Sequence, residues 1–189
     1  MTDGRERILL ITACPGWGQD SAGNQYGFNT SYSDDNGNTW TEYKHWYSVL
    51  EGNAENKAVV AMASLIQLKD KNGNYINEWL GIYHDCDYKN YKTILSFDEN
   101  GEEQWSMPKT YLDQYRSIEK RNRMCEIGMF RSPDGKRIVG LARSQSHNNP
   151  ATLVYSDDEG ITWSEPMELP GSLAGERHKA VYDPISGRL

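Results

Sequence analysis

Short runs of alternating or crowded apolar residues, separated by clusters of Gly, Asn, Asp and Ser, punctuate the chain. Successive side chains of a strand point to opposite faces, so "YGFNTSYS", "YKTILSF" and "ATLVYS" read as strands. Two further pairs carry apolar residues at consecutive positions, the pattern of strands buried on both faces. They are "AVVAMASLIQL" with "EWLGIYHD", parted by "KDKNGNYIN", and "CEIGMF" with "RIVGLARS", parted by "RSPDGK". Only at 109 to 123 does helical spacing compete, through Tyr111, Tyr115 and Ile118. That segment reads as a connection with one or two helical turns.

The strands are organised by a repeat. "SDDNGNTW" at 33–40 returns as "SDDEGITW" at 156–163, and a degenerate copy, "SFDENGEEQW", two residues longer, occupies 96–105. Each copy follows a strand and ends in a Trp that opens another short strand, so each reads as a hairpin turn. Two more strands precede the second and third copies. Four strands per unit and a repeat of about 60 residues describe the blades of a β-propeller. The prediction is an all-β chain, a single domain over 1–189, with about three four-stranded antiparallel blades. "RHKAVYDPISGRL" would begin a fourth.

The box residues suit a turn. Asp35 and Asp158 can accept from the turn's own N–H groups, Gly37 and Gly160 can take positive φ, and Trp40 and Trp163 can cover the turn. A calcium loop fits poorly: in that register the first ligand position falls on Tyr32 or Tyr155, and the bidentate twelfth on Tyr43 or Pro166.

Composition narrows the partners. The 189 residues carry a net charge of -7, which leaves no basic footprint for nucleic acid or an anionic membrane. Cys14, Cys86 and Cys125 match no zinc spacing and read as buried thiols that are not cross-linked. The six-residue apolar run in "MTDGRERILLITA" is too short for a signal core or a membrane span. A complete chain would then be cytoplasmic, whereas a fragment is compatible with secretion or the periplasm.

The S-x-D-x-G-x-T-W box on four-stranded units resembles the Asp-box, or BNR, repeat of the sialidase (neuraminidase) superfamily. The stretch "CEIGMFRSPDGKRIVGLARSQSHNNPATLVYSDDEGITW" strengthens the resemblance. It implies a six-bladed propeller and a glycoside hydrolase of exo-α-sialidase type, which releases terminal sialic acid or a related acidic sugar. It places Glu126 on the family's Glu, which takes the proton of a tyrosine nucleophile, a phenol of pKa about 10 that needs such a base. Arg143 falls on one of three arginines that clamp the substrate carboxylate, a role suited to a planar guanidinium fork.

Around these two, Arg177 and His178 in "GERHKAVY" and His84 and Asp85 in "YHDCD" are candidate contacts for the sugar. Bland readings stand beside them: a structural ion pair for Arg177 and His178, a solvated loop for His84 and Asp85. No cofactor and no metal is implied, since His84 and His178 lack ligand spacing. The R-I-P arginine and the acid of the family's first blade have no counterpart here, and the third arginine and the tyrosine nucleophile belong to later blades. The alternative is a non-catalytic Asp-box propeller that binds glycan or protein. Either way, further blades of a longer chain, or self-association, are needed to cover the open faces.

Overall fold

The computed structural model describes residues 6–13, 27–47, 58–60, 62, 64–146, 149–173, 178–183 and 185–188. Three antiparallel sheets account for nearly all the regular structure. The first contains β1 (Ile8–Ala13), β2 (Phe28–Ser33) and β3 (Lys44–Trp46) in that order. The second has six strands: β4 (Ala58–Val60) and β5 (Leu65–Lys69) both pair with the long β6 (Tyr75–Asp85). On its other edge β6 pairs with β7 (Asn90–Phe97), which carries β8 (Glu103–Trp105) and β9 (Lys109–Thr110). The third sheet runs β10 (Met124–Arg131), β11 (Ile138–Ser144), β12 (Thr152–Ser156) and β13 (Met167–Glu168). A 3-10 turn at Asp113–Tyr115 and a seven-residue helix, α1 (Arg116–Asn122), bridge sheets two and three, matching the one or two helical turns expected there.

The second sheet lies between two cores, which explains the consecutive apolar residues of its strands. On β6, Leu80 and Ile82 face a cluster with Ile127, Ile138, Val154 and Trp163 of the third sheet region. Tyr83, one residue on, faces the opposite cluster with Phe28 of the first sheet, Leu95 and Trp105. Phe28 meets Trp105 edge-on at 4.9 Å between ring centroids. Each fully buried side chain of this size contributes about 1.5–3 kcal/mol.

Both complete boxes fold identically. Ser33 Oγ donates to Asp35 Oδ1 at 2.7 Å and accepts from Gly37 N at 2.8 Å, while Thr39 donates to Asp35 through its N–H (2.8 Å) and hydroxyl (2.7 Å). In the third sheet Ser156, Asp158, Gly160 and Thr162 repeat these bonds at 2.8, 2.8, 2.8 and 2.6 Å. Gly37 and Gly160 take φ of +87° and +82°, and the indole N–H of each Trp donates to the carbonyl of its box glycine. Trp163 is buried, as a covering residue should be; Trp40 is 45% exposed.

The middle copy forms a different turn. Asp98 N–H donates to Glu102 O and Gly101 N–H to Asp98 O, the same bonds that Asp70, Gly73 and Asn74 make in the β5–β6 hairpin. Its Trp105 donates to Glu103 instead of to a glycine carbonyl. The two extra residues lengthen an ordinary ladder hairpin, and so the serine-centred network is not built. A clip just past the tryptophan persists in all three sheets. Thr41, Ser106 and Ser164 each donate a backbone N–H to the preceding strand, at Tyr32, Ile94 and Tyr155, and their hydroxyls accept the N–H of those same three residues.

Each complete box carries a second device. Arg7 spans the carboxylate of Asp34 at 2.7 and 2.8 Å and lies 3.5 Å from the centre of the Tyr32 ring. Arg137 spans Asp157 at 2.6 and 2.9 Å and lies 3.8 Å from Tyr155.

After the third sheet, the chain forms no strand among the described residues 178–183 and 185–188, where a fourth unit was expected to open with one. It still packs against β10. A Cβ on Gly128 would sit 2.1 Å from the carbonyl oxygen of His178, so only glycine permits this approach. Tyr182 Oη donates to Arg131 O at 2.8 Å.

Candidate functional site

The site is assembled at the end of the sheets away from the boxes. In the third sheet Ile138 is opposite Ser156 at the box end, while Met124 is opposite Ser144 at the other. The residues that enter this far end are held by buried polar groups. Glu119 of α1 is 1% exposed and accepts from the backbone N–H (2.6 Å) and side-chain amide (2.9 Å) of Asn90, and from Arg116 at 2.9 Å. Burial pushes its carboxyl upward, against the pull of Asn90 and Arg116. The Asn90 amide also donates to Met124 O at 3.1 Å, and Ser144 Oγ to Asn122 O at 2.7 Å. Helix α1 ends on Arg123 with φ of +49° and feeds directly into β10.

Glu126 sits in a β-bulge. The register with β11 passes from Cys125 opposite Arg143 to Gly128 opposite Leu141, one extra residue on β10. Glu126 absorbs the irregularity with φ of +46°, a left-handed conformation that costs a non-glycine residue about 1 kcal/mol or more. The bulge aims its side chain at β11, where Arg143 Nη1 donates to Glu126 Oε2 at 2.8 Å. The pair is largely buried, with side-chain exposures of 13% for Arg143 and 7% for Glu126. The two residues expected to converge from neighbouring strands therefore do so.

His84, near the end of β6, is 5% exposed and within electrostatic reach of Glu126 and Arg143. Its Nδ1 lies 2.8 Å from Asp85 O; a carbonyl only accepts, so Nδ1 carries the proton. Its ring stacks on Tyr88 at 5.9 Å and 13°. Burial lowers its pKa, partly offset by the Asp85 carbonyl and by the charges of Asp85 and Glu126.

Asp85, also buried, turns its carboxylate inward: Oδ1 accepts from Asp87 N and Lys89 N at 2.8 Å each. It shapes the β6–β7 turn as Asp70 shapes the preceding one. His178 lies over Gly128, two residues along β10 from Glu126, through its backbone. Arg177 lies outside the described residues, as does Cys14. Cys125 is buried as expected, whereas Cys86 is exposed because it rides the solvent side of the turn that Asp85 closes. No group of three or more His, Cys, Asp or Glu that would hold a metal occurs among the described residues, nor is any helix there long and apolar enough to cross a membrane.

What sequence reasoning missed here is the left-handed bulge at Glu126 and the anchoring carboxylate Glu119. A polar residue within an apolar strand start, "MCEIG", is the one local sign of the former.

The family model described as BNR repeat-like domain matches residues 1–178. No curated protein matches the sequence. Among solved structures, a protein of unknown function from Dyadobacter fermentans is similar, with a TM-score of 0.56 and 17% identity, over 96% of this chain and 52% of that one. The intramolecular trans-sialidase from Ruminococcus gnavus, solved with oseltamivir carboxylate, is similar at a TM-score of 0.49 and 19% identity, over 75% of this chain and 26% of that one. The chain thus spans about half the length of one and about a quarter of the other. With two complete boxes folded alike and a family match over most of its length, the chain belongs to the BNR repeat-like family.

Proposed function

We propose that this chain is part of a sialidase-like glycoside hydrolase acting on terminal sialic acid or a related acidic sugar. Its three sheets would be successive blades of a six-bladed propeller, with further blades completing both ring and site. The observation that carries this reading is the Glu126–Arg143 pair. A carboxylate held in a left-handed bulge, 2.8 Å from a largely buried guanidinium and at the end opposite the structural boxes, is an arrangement that folding alone gives little reason to keep. A ligand carboxylate would find in Arg143 a planar, permanently charged fork. Glu126, next to it, would then serve as the base that activates a nucleophile supplied by another blade.

The test is turnover of a fluorogenic sialoside by the full-length protein, compared with its Glu126→Gln and Arg143→Ala variants. Losses of 100-fold or more in kcat/KM are expected for both, in line with the removal of a general base or of a charge-assisted carboxylate contact. Absent turnover with retained glycan binding would favour a non-catalytic Asp-box propeller. Variants that match the wild type would overturn both roles.

A further inference from the structure

We propose that His84 is a ligand-reading residue, its Nε2 lone pair accepting a hydrogen bond from a hydroxyl of the sugar whose carboxylate Arg143 binds. This deepens, and rests on, the acidic-sugar reading. Three observations carry it.

The first is the tautomer. Nδ1 is committed as a donor to Asp85 O at 2.8 Å, so in the uncharged ring Nε2 presents only a lone pair. The second is the state of that nitrogen. Nε2 is buried and has no hydrogen-bond partner among the described residues, although an unmet polar atom in the interior costs about 1–3 kcal/mol. The bond to Asp85 O employs Nδ1 alone and the stacking on Tyr88 would serve a phenylalanine equally well, so nothing in the turn employs Nε2.

The third is location. The groups that act on the ring are Asp85 and Tyr88 of its own turn, Glu126 of β10 and Arg143 of β11. β10, which carries Glu126, also packs against β6, which carries His84, so a ligand that brings its acid to Arg143 would lie on the side of the sheets where this acceptor sits.

The chemistry selects the ligand group. A bare lone pair beside the carboxylate of Glu126 repels a second anion and welcomes an O–H donor. Arg143 would read the acid and His84 a hydroxyl, so the favoured ligand is a hydroxylated carboxylic acid rather than a simple anion. A site built around an acceptor also penalises analogues that lack the hydroxyl.

The test uses the full-length protein with N-acetylneuraminic acid as probe. In long-range nitrogen–proton NMR of the histidines at pH 7, His84 should show a proton on Nδ1 and a lone pair on Nε2. Saturation with the probe should move the Nε2 resonance upfield. A proton on Nε2, or an Nε2 that does not respond while the probe is bound, would overturn the inference without any variant.

His84→Phe, which keeps the ring and its stacking, should weaken binding about fivefold to tenfold, and His84→Gln, whose amide oxygen restores an acceptor, should recover most of it. Wild-type affinity in His84→Phe alongside lost binding in Arg143→Ala would sink this inference and leave the acidic-sugar reading intact. No binding of the probe by the wild type would remove that reading, and this inference with it.

Discussion

Arg131 of β10 and Glu159 in the third sheet's box loop are joined by two hydrogen bonds, at 2.8 and 2.5 Å. The same guanidinium donates to Gln67 O on β5 at 2.7 Å, and Lys69 N donates to Glu159 at 2.9 Å. One ion pair thus ties a box to its own sheet and to the sheet before it. Lys92 Nζ adds a bond from β7 to the carbonyl of Gly160.

Breaking this pair should therefore loosen the packing between sheets two and three. Arg131→Ala is expected to cost about 2 kcal/mol, less than the 3–5 kcal/mol of a fully buried pair because Glu159 remains partly exposed and screened. Urea denaturation of the single variants and of the double variant with Glu159→Gln measures the coupling. A coupling energy near zero would show that the two sheets hold together without it.

The boxes should give the protein an acid-sensitive limb. The N–H and hydroxyl of Thr39, with the Ser33 hydroxyl, hold the Asp35 carboxyl at about 2, down from 3.8. Asp158 is also lowered: burial pushes it up, but the bonds from Thr162 and Ser156 outweigh that. A carboxyl whose pKa falls on folding stabilises the fold above its unfolded pKa and loses that contribution as pH falls through the folded one. The urea midpoint should therefore drop as pH goes from about 4 toward 2, and Asp35→Asn with Asp158→Asn should flatten that slope. An unchanged slope in the double variant would assign the acid limb to other carboxylates.

Gly128→Ala tests the close approach between β10 and the chain that follows the third sheet. Its new methyl would stand 2.1 Å from His178 O, a backbone atom with little room to yield. A loss of about 1–3 kcal/mol is expected, together with faster tryptic cleavage at Lys179 as residues 178–183 detach. Wild-type stability and cleavage in the variant would mean that this segment is not seated as described.

The strands and complete boxes were legible in the sequence because they are local devices: alternation sets the face, and Ser, Asp and Gly close a turn within eight residues. The pairing of Glu126 with Arg143 was legible because both lie on adjoining strands of one hairpin. The polar anchors were not. Glu119 and Asn90 are buried through partners far apart in the chain, and no pattern of hydrophobicity marks a carboxylate that an amide will satisfy. The degenerate copy misleads for a related reason, since its Asp and Gly also suit a plain hairpin. The Arg7 and Arg137 clamps left a trace that went unread: an Arg-Ile pair opening the strand before each "YSDD".

The separation of boxes from the Glu126–Arg143 pair has a consequence for how such a protein changes over time. Along β11 the two lie about five residues apart, or roughly 17 Å at strand spacing. Sites that distant alter free energy almost independently. Substitutions around the Glu126–Arg143 pair can therefore accumulate while the folding hardware at the other pole stays fixed, so the chemistry of that end can change without the fold first becoming fragile.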